Sequence, residues 1–357
     1  MNILLIRLRL IGDVVFTTPI IRALKRAYPN ARLTYLVEPD AAPIVVRNPH
    51  LDELIVVPKS RGLRRLRDDL TLTRRLRAAH FDIVMDLHGG PRSSLLARAT
   101  GAPQRIGYDV KGRSWLYTRT VHRMPGLHPR HSVANQWDLL NAIEGWPGGD
   151  PDPARDAVEM PLDPVVDARI AERLNRAGVD AKHALVIIHV SAGNPFRRWP
   201  ETAFVRLVVG LASAEAGRRI VLSSGPSDRA AAARIASAAR TELGARSHQV
   251  VDLGEFDLAE LKALVVRSVL FVGGDTGPLH VAATTMTPIV GIYGPTLVER
   301  SSPWRDPQAV SEAVQVNGLP CRPCDQRVCE PGDYRCLTTL TPESVIDAAE
   351  RALKRSA

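Results

Sequence analysis

Apolar residues occur in short runs along this chain, and most runs are followed by a stretch with helical spacing. Runs of about four to eight apolar residues are typical of buried strands, and a 3.6-residue period is typical of helices. In the first half, the pattern predicts strands at Asn2–Leu8, Ala31–Val37, Glu53–Val57, Phe81–Leu87 and Gln104–Tyr108, and helices at Val14–Ala27, Arg61–Ala79 and Pro91–Thr100. Such alternation indicates a parallel sheet with right-handed crossovers, in which ligands bind at the carboxyl ends of the strands.

A segment rich in Pro, Gly and Asp, about Gly145–Pro164, interrupts the pattern and is typical of a flexible linker. The alternation then restarts, with strands predicted at His183–Val190, Arg219–Ser223, Val250–Leu253, Val269–Val272 and Pro288–Ile292, and helices at Pro200–Ala216, Ser227–Leu243, Leu258–Ser268, Thr276–Thr285 and Pro342–Lys354. We therefore predict an α/β protein with two doubly wound lobes, residues 1–160 and 161–340, followed by a C-terminal helix at 341–357. Two such lobes facing across a cleft suit a transfer between two substrates.

Composition narrows the class of protein. The chain has 357 residues, 45% of them hydrophobic, and no apolar run long enough for a spanning helix. The apolar start is interrupted by Arg7 and Arg9, which favours a first strand over a signal peptide. We therefore expect a cytoplasmic location. The net charge of +9 suggests polyanionic partners, although a solvated basic surface explains it equally well. Aromatic residues make up only 5%, which disfavours an aromatic-lined sugar groove.

The strongest candidate site follows the strand predicted at Val269–Val272. Two glycines end that strand, and Asp275 or Thr276 can cap the helix that begins there, with Pro278 in its first turn. Glycines allow a ligand to approach the backbone closely, and a helix start offers unpaired N–H groups. Gly274, Asp275, Thr276, Gly277 and His280 therefore form a candidate diphosphate site, although a merely well-capped helix would show the same pattern.

Two further segments follow the first strand of each lobe. Asp13 comes after the first strand, where a carboxylate can act as general base on an acceptor hydroxyl; alternatively it only caps the next helix. In the second lobe, Ser191 and Gly193 suit a turn that contacts phosphate, and Arg197 or Arg198 could neutralise a departing diphosphate. Two surface arginines ahead of a helix are the alternative there. A single glycine before Asp13 excludes a dinucleotide fingerprint.

The helix predicted at Arg61–Ala79 is strongly basic, with only Asp68 and Asp69 offsetting its arginines. It could meet an anionic glycolipid at a membrane surface, or it could be a solvated face. Nucleic acid is a poor fit, because no aromatic residues alternate with the basic ones.

All four cysteines lie in one short stretch near the C-terminus, with C-x2-C-x4-C-x6-C spacing: Cys321, Cys324, Cys329 and Cys336. The spacing allows a structural zinc site, but thiols or disulfides with a structural role explain it as well. Catalysis by these residues is not expected.

Together these motifs resemble the glycosyltransferase family that includes the lipopolysaccharide heptosyltransferases. The matching elements cover nearly the whole chain. They are Arg7 or Arg9 through Gly12 and Asp13, Asp86 through Gly90 with Arg92 and Ser93, Arg105 through Tyr108, Arg197 through Pro200, Gly274 through His280, and Tyr293 through Thr296. The most specific is the Asp-Thr-Gly-x-x-His element that begins at Asp275.

The resemblance implies a GT-B fold, with the nucleotide sugar on the C-terminal lobe and the acceptor on the N-terminal lobe. It also implies inversion at the anomeric carbon without a metal or other cofactor. Asp13 would deprotonate the acceptor hydroxyl, and Arg197 would stabilise the departing diphosphate where many members have lysine. The backbone of Thr276 and Gly277 would hold the phosphates, Asp275 would contact sugar hydroxyls, and His280 would lie beneath the turn.

The implied donor is ADP-heptose, and the implied acceptor is the inner core of lipopolysaccharide, an anionic glycolipid at the cytoplasmic face of the inner membrane. Arg9, His88 and Arg92 are the candidate acceptor-binding residues. The chain departs from the family at Gly225–Ser227, where some members have an acid that contacts the nucleotide ribose. Transfer of another sugar, epimerisation of a nucleotide sugar, and catalytically silent glycolipid binding remain alternatives.

Overall fold

The structure is a computed structural model that describes residues 1–124, 127–190 and 194–356. It divides into two compact units. The first comprises Met1–Pro125 and Arg130–Pro161, and the second comprises Gly126–Pro129 and Leu162–Ala357.

The first unit is built on a six-stranded parallel sheet with the order β3-β2-β1-β4-β5-β6. Its strands are β1 (Asn2–Ile6), β2 (Arg32–Val37), β3 (Glu53–Val56), β4 (Ile83–Asp86), β5 (Gln104–Tyr108) and β6 (Arg119–Val121). Its helices are α1 (Ile11–Val15), α2 (Thr18–Ala27), α3 (Ala42–Val45), α4 (Gly62–Ala78), α5 (Pro91–Ala99) and α6 (Ser132–Trp137). The central strand β1 is buried from Ile3 to Ile6, as expected of a strand covered by helices on both faces.

The second unit has its own six-stranded parallel sheet, ordered β12-β11-β10-β7-β8-β9. Its strands are β7 (Ala184–His189), β8 (Arg218–Ser223), β9 (Val250–Val251), β10 (Leu270–Gly274), β11 (Ile289–Tyr293) and β12 (Ser311–Gln315). Its helices are α7 (Pro164–Arg176), α8 (Glu201–Ala214), α9 (Arg229–Leu243), α10 (Leu258–Val266), α11 (Gly277–Ala282), α12 (Val298–Ser301), α13 (Arg335–Thr338) and α14 (Pro342–Ser356). The predicted doubly wound α/β class is confirmed for both units.

The C-terminal helix α14 is part of the core of the second unit. Val345, Ala348 and Ala352 on this helix are fully buried, and Glu350 forms an ion pair with Arg218 of β8 at 2.5 Å.

Two predicted features differ in detail. The helix expected at Val14–Ala27 is two helices, because Pro19 lacks the N–H that an unbroken helix would need there; Thr17 is the cap of the second one, which begins at Thr18. The linker has no regular structure, but it is not loose. Asp156 is fully buried and accepts a hydrogen bond from Arg26 at 2.9 Å, while Glu159 N–H donates to Thr18 Oγ1 at 2.9 Å.

Within the described residues, no helix combines the length and apolar character needed to cross a membrane.

Candidate functional site

The sheet topology identifies where each unit can bind a ligand. When the strands of each sheet are numbered in chain order, both sheets read 3-2-1-4-5-6, so strand order reverses between strands 1 and 4. Ligands of doubly wound proteins bind beside the carboxyl ends of strands at this switch point. In the first unit, these are the ends of β1 and β4; in the second unit, they are the ends of β7 and β10. The segments predicted from sequence follow these four strands.

Asp13 lies just beyond β1, held by a buried arginine. Leu10 has a left-handed backbone, with φ at 71°, and this turn leads the chain from β1 into α1. Asp13 is the third residue of α1 and Leu10 caps the helix, so the alternative in which Asp13 is only a cap is wrong. The Asp13 carboxylate accepts a hydrogen bond from Arg7, whose guanidinium is almost fully buried and also donates to the carbonyl of Leu87 at 2.6 Å. The carboxylate is therefore fixed in orientation while it stays partly exposed.

His88 lies in the loop after β4, close enough to Arg7, Arg9 and Asp13 for their charges to act on it. Burial, together with the positive charges of the two arginines, lowers the pKa of His88 to about 4, so the imidazole is neutral at pH 7. The loop is held by Asp86, whose carboxylate accepts hydrogen bonds from the N–H groups of His88 and Gly89, both at 2.9 Å.

Arg9 and Arg92 differ in how their charges are used. Arg9 is exposed just after the end of β1, and its role in acceptor binding stays a prediction. Arg92 is mostly buried and donates through Nε to Asp69 at 3.1 Å, with Glu38 a further 3.7 Å neighbour. Two acids therefore compensate Arg92, and it offers less free charge to an acceptor than the sequence suggested.

Asp275 is the centre of the site in the second unit. Its side chain is 4% exposed, and its oxygens contact Thr296 Oγ1 at 2.6 Å, Arg197 Nη1 at 3.3 Å and His280 Nε2 at 3.4 Å. Burial alone would raise the pKa of this carboxyl, but His280, Arg197 and Thr296 together hold it below its ordinary value. The carboxylate is thus ionised and engaged by three protein groups, an arrangement suited to fixing its neighbours.

Arg197 is held by two segments far apart in the sequence. Its Nη1 donates to the carbonyl of Asp275 at 2.6 Å, and its Nε donates to Gln326 Oε1 at 2.8 Å. Gln326 also accepts from Asn194 Nδ2 at 2.9 Å. Gln326 was missed from the sequence, since no motif distinguishes a glutamine within the cysteine-rich segment.

The turn after β10 has the predicted form. Thr276 is the residue that caps α11, and Pro278 lies in the first turn, as expected. A Cβ added to Gly274 would lie 3.8 Å from the nearest protein atom, which is an ordinary contact. The protein therefore does not itself require glycine there, and the missing side chain leaves the backbone of Gly274 open to a ligand.

A cavity of about 350 Å³ adjoins this turn within the second unit; its lining includes Arg197, Arg198, Ser227, Asp228 and Gly274. Asp228 supplies a carboxylate one residue after the segment that lacked one. Arg198 Nε lies 3.8 Å from that carboxylate, and Ser227 Oγ donates to it at 2.7 Å. The two remaining predicted contacts, Ser191 and Gly193, lie outside the described residues.

His189 at the end of β7 was also missed, because it closes an apolar run. It is buried, its Nδ1 lies 2.9 Å from Ser223 Oγ, and burial lowers its pKa to about 4. Its Nε2 has no hydrogen-bond partner among the residues that the structure describes.

The four cysteines, Cys321, Cys324, Cys329 and Cys336, carry free thiols and line a cavity of about 330 Å³ together with Arg322 and Arg335. In the described ranges, no group of three or more His, Cys, Asp or Glu residues has an arrangement that could hold a metal ion. No disulfide joins these four cysteines, and the choice between structural thiols and a structural zinc stays a prediction.

Comparison with known proteins matches nearly the whole chain. A family model described as glycosyltransferase family 9 (heptosyltransferase) matches residues 70–334. Lipopolysaccharide heptosyltransferase 3 of Escherichia coli is 28% identical over 356 residues, which cover 98% of this chain and 98% of that protein.

Solved structures agree with this match in fold. The glycosyl transferase family 9 structure from Veillonella parvula has a TM-score of 0.81 at 23% identity, covering 99% of this chain and 97% of that chain. An E. coli heptosyltransferase solved with ADP-2-deoxy-2-fluoro heptose has a TM-score of 0.69 at 20% identity, covering 100% of both chains. The predicted GT-B fold is confirmed by this likeness.

Proposed function

Because this chain belongs to glycosyltransferase family 9, the heptosyltransferases, we propose that it transfers a heptose from ADP-heptose to the inner core of lipopolysaccharide. The relatives support this substrate class: one is a lipopolysaccharide heptosyltransferase, and another was solved with an ADP-heptose analogue. We also propose that the reaction takes place at the cytoplasmic face of the inner membrane, where the glycolipid acceptor is held.

One observation carries the proposal. The strand ends at the switch point of the first unit present an oriented carboxylate, and those of the second unit present an arginine fixed beside a glycine turn. The first unit can thus activate a hydroxyl, and the second can bind a diphosphate. We assign the acceptor to the first unit and the donor to the second on this basis.

In the proposed reaction, Asp13 takes the proton from an acceptor hydroxyl. The hydroxyl oxygen forms a bond to the anomeric carbon from the face opposite the diphosphate, while the bond to the diphosphate oxygen breaks and ADP departs. The configuration at that carbon is therefore inverted. Arg7 fixes the base, and the neutral His88 and the exposed Arg9 contact the acceptor; Arg92 is a weaker candidate because acids already surround it.

The departing ADP gains negative charge, which the second unit compensates without a cofactor in this proposal. Arg197 contributes a guanidinium that is already oriented, and such preorganised charge stabilises a transition state without further rearrangement. The backbone of Gly274, Thr276 and Gly277 holds the phosphates. Asp275 acts by orienting Arg197 and His280, because its oxygens are already engaged.

The nucleoside occupies the cavity beside this turn. Some family members have an acid at the segment that corresponds to Gly225–Ser227, and Asp228 takes its role by contacting the ribose hydroxyls. Arg198 adds positive charge nearby. This assignment is supported by the placement of Asp228 in the cavity wall together with Gly274.

The test is release of ADP from ADP-heptose by purified protein, with and without a heptose-deficient core acceptor, beside a panel of other nucleotide sugars. We expect acceptor-dependent release with ADP-heptose. Asp13→Asn should lower kcat by about 10²- to 10⁴-fold with little change in donor affinity. The matched control is Asp40→Asn, which alters an exposed acid of the same unit.

Other outcomes identify the alternatives. Conversion of the nucleotide sugar without acceptor would indicate an epimerase, and turnover of a different sugar would correct the donor. Full activity of Asp13→Asn would remove the assigned base. Binding of the donor with no transfer to any core acceptor would indicate a silent binding protein.

A further inference from the structure

Helix α4 (Gly62–Ala78) has two apolar faces, only one of which is covered. Leu72 and Leu76 are buried against the first unit. Leu63, Leu66 and Leu70 are 85%, 66% and 51% exposed. Their spacing of three and four residues places these leucines on one side of the helix, over about 10 Å of its length. We call these three residues the leucine stripe. An exposed apolar stripe on a surface helix indicates a partner.

Unpaired arginines lie beside the leucine stripe. At 100° per residue, Arg67, Arg74 and Arg77 point to the same outer side of the helix as the stripe, away from Leu72 and Leu76. All three are exposed, and none has an acidic partner in the part of the chain that the structure describes. Arg65 and Arg75 differ, because they pair with Asp69 and Glu53. The outer face of α4 is therefore both apolar and cationic.

We propose that the outer face of α4 docks the protein on an anionic lipid bilayer. Leucines that enter the boundary between headgroups and acyl chains, flanked by arginines that contact phosphate headgroups, are the features of helices that lie on membranes. The charge of the face complements an anionic surface. This docking extends the proposed function, which puts the acceptor in a membrane, but it does not depend on turnover.

Two other occupants fit the face less well. A second copy of this chain would bring two sets of unpaired arginines together, and like charges at close range disfavour that contact. A nucleic acid would use the arginines but leave the leucine stripe in contact with water, since the stripe has no aromatic ring on which a base could stack.

The experiment is co-sedimentation of the full chain with vesicles of phosphatidylglycerol and phosphatidylethanolamine, compared with vesicles of phosphatidylcholine. We expect binding to the anionic vesicles that weakens as salt is raised. Changing Leu63, Leu66 and Leu70 together to Gln should lower the partition coefficient at least about tenfold. Changing Arg67, Arg74 and Arg77 to Gln should remove the preference for anionic vesicles.

Leu95→Gln is the matched control, because Leu95 is a 59% exposed leucine on α5 of the same unit, and its change should leave vesicle binding unaltered. ADP binding by each variant, measured by calorimetry, verifies that the chain is folded. The proposal is overturned if the wild type does not bind anionic vesicles, or if the triple leucine variant binds them as tightly as the wild type. It is also overturned if the triple change instead abolishes self-association seen by sedimentation. Loss of transfer with vesicle binding intact would count against the proposed function alone.

Discussion

Gln326 offers a way to separate donor binding from stability with one substitution. The residue lies within the cysteine-rich segment, yet its side chain accepts hydrogen bonds from Arg197 Nε at 2.8 Å and Asn194 Nδ2 at 2.9 Å. Its backbone is left-handed, with φ at 60°, a conformation that favours glycine. We expect Gln326→Gly to weaken donor binding while the backbone relief offsets much of the stability that is lost with its hydrogen bonds.

Opposing contributions determine how much Gln326→Gly changes the free energy of unfolding. A left-handed backbone costs a residue with a side chain about 1–2 kcal/mol, which glycine recovers. The greater freedom of glycine in the unfolded chain returns about 0.5–1 kcal/mol of that gain. Loss of the hydrogen bonds from Arg197 and Asn194 costs about 1.5–3 kcal/mol more, so the free energy of unfolding should fall by about 1–2 kcal/mol. The hydrogen bond to the Arg197 guanidinium contributes about 1.5–3 kcal/mol to its placement, which corresponds to about 10- to 100-fold in donor KM.

The assay measures KM and kcat for the nucleotide sugar, together with urea unfolding of the same samples. Gln326→Glu should restore donor binding, because it keeps an acceptor for Arg197. Arg327→Ala removes a neighbouring exposed side chain and should change neither quantity. The reasoning is refuted if Gln326→Gly keeps the wild-type KM, or if it unfolds far more easily than the wild type.

Three further predictions concern stability and the nucleoside cavity. Burial lowers the pKa of His189 from 6.5 to about 4. Between pH 6.5 and pH 4 the unfolded chain therefore binds a proton at this residue that the folded chain does not bind. The free energy of unfolding should fall as the pH drops through this range. His189→Gln should remove up to about 3 kcal/mol of that pH dependence in urea unfolding at pH 4.5 and 7. Asp228→Ala should raise the Kd for ADP about tenfold by calorimetry, since it removes one charged hydrogen-bond acceptor; an unchanged Kd would place the nucleoside elsewhere. Gly107→Ala should destabilise the chain by about 1–3 kcal/mol, because the new Cβ would lie 2.3 Å from the buried Tyr117 ring, whereas Gly217→Ala makes only ordinary contacts and should be tolerated.

The sequence predicted the central strands and one edge strand of each sheet, but it missed the other edge strand of each. Strand β1 was recognisable because both of its faces are covered, which gives a continuous apolar run. The edge strands β6 (Arg119–Val121) and β12 (Ser311–Gln315) were missed, since most of their residues are polar or partly exposed. Helix α7 was missed because it begins at Pro164, where a Pro-rich segment indicated a linker. A polar edge strand, and a helix that begins inside a Pro-rich segment, therefore have too little apolar pattern to be predicted.

Some residues of the candidate site could likewise be predicted from the sequence, and others could not. Asp13 and Asp275 could be found because each follows a strand whose carboxyl end is a binding position in this topology. Gln326 could not, because its link to Arg197 joins segments 129 residues apart. The acid near Ser227 was missed by a single residue, since a motif read at fixed spacing cannot show that Asp228 reaches the same cavity.

In the proposed reaction, Asp275 acts without touching the substrate. A carboxylate beside the proposed diphosphate site would oppose the binding of an anion if its charge were not compensated. Here its backbone carbonyl and its side chain both contact Arg197, while Thr296 and His280 engage its oxygens from within the protein. The charge of the carboxylate thus holds the guanidinium of Arg197 in one orientation. A fixed cation stabilises a leaving group more effectively than a mobile one, because no reorganisation is needed when the charge develops.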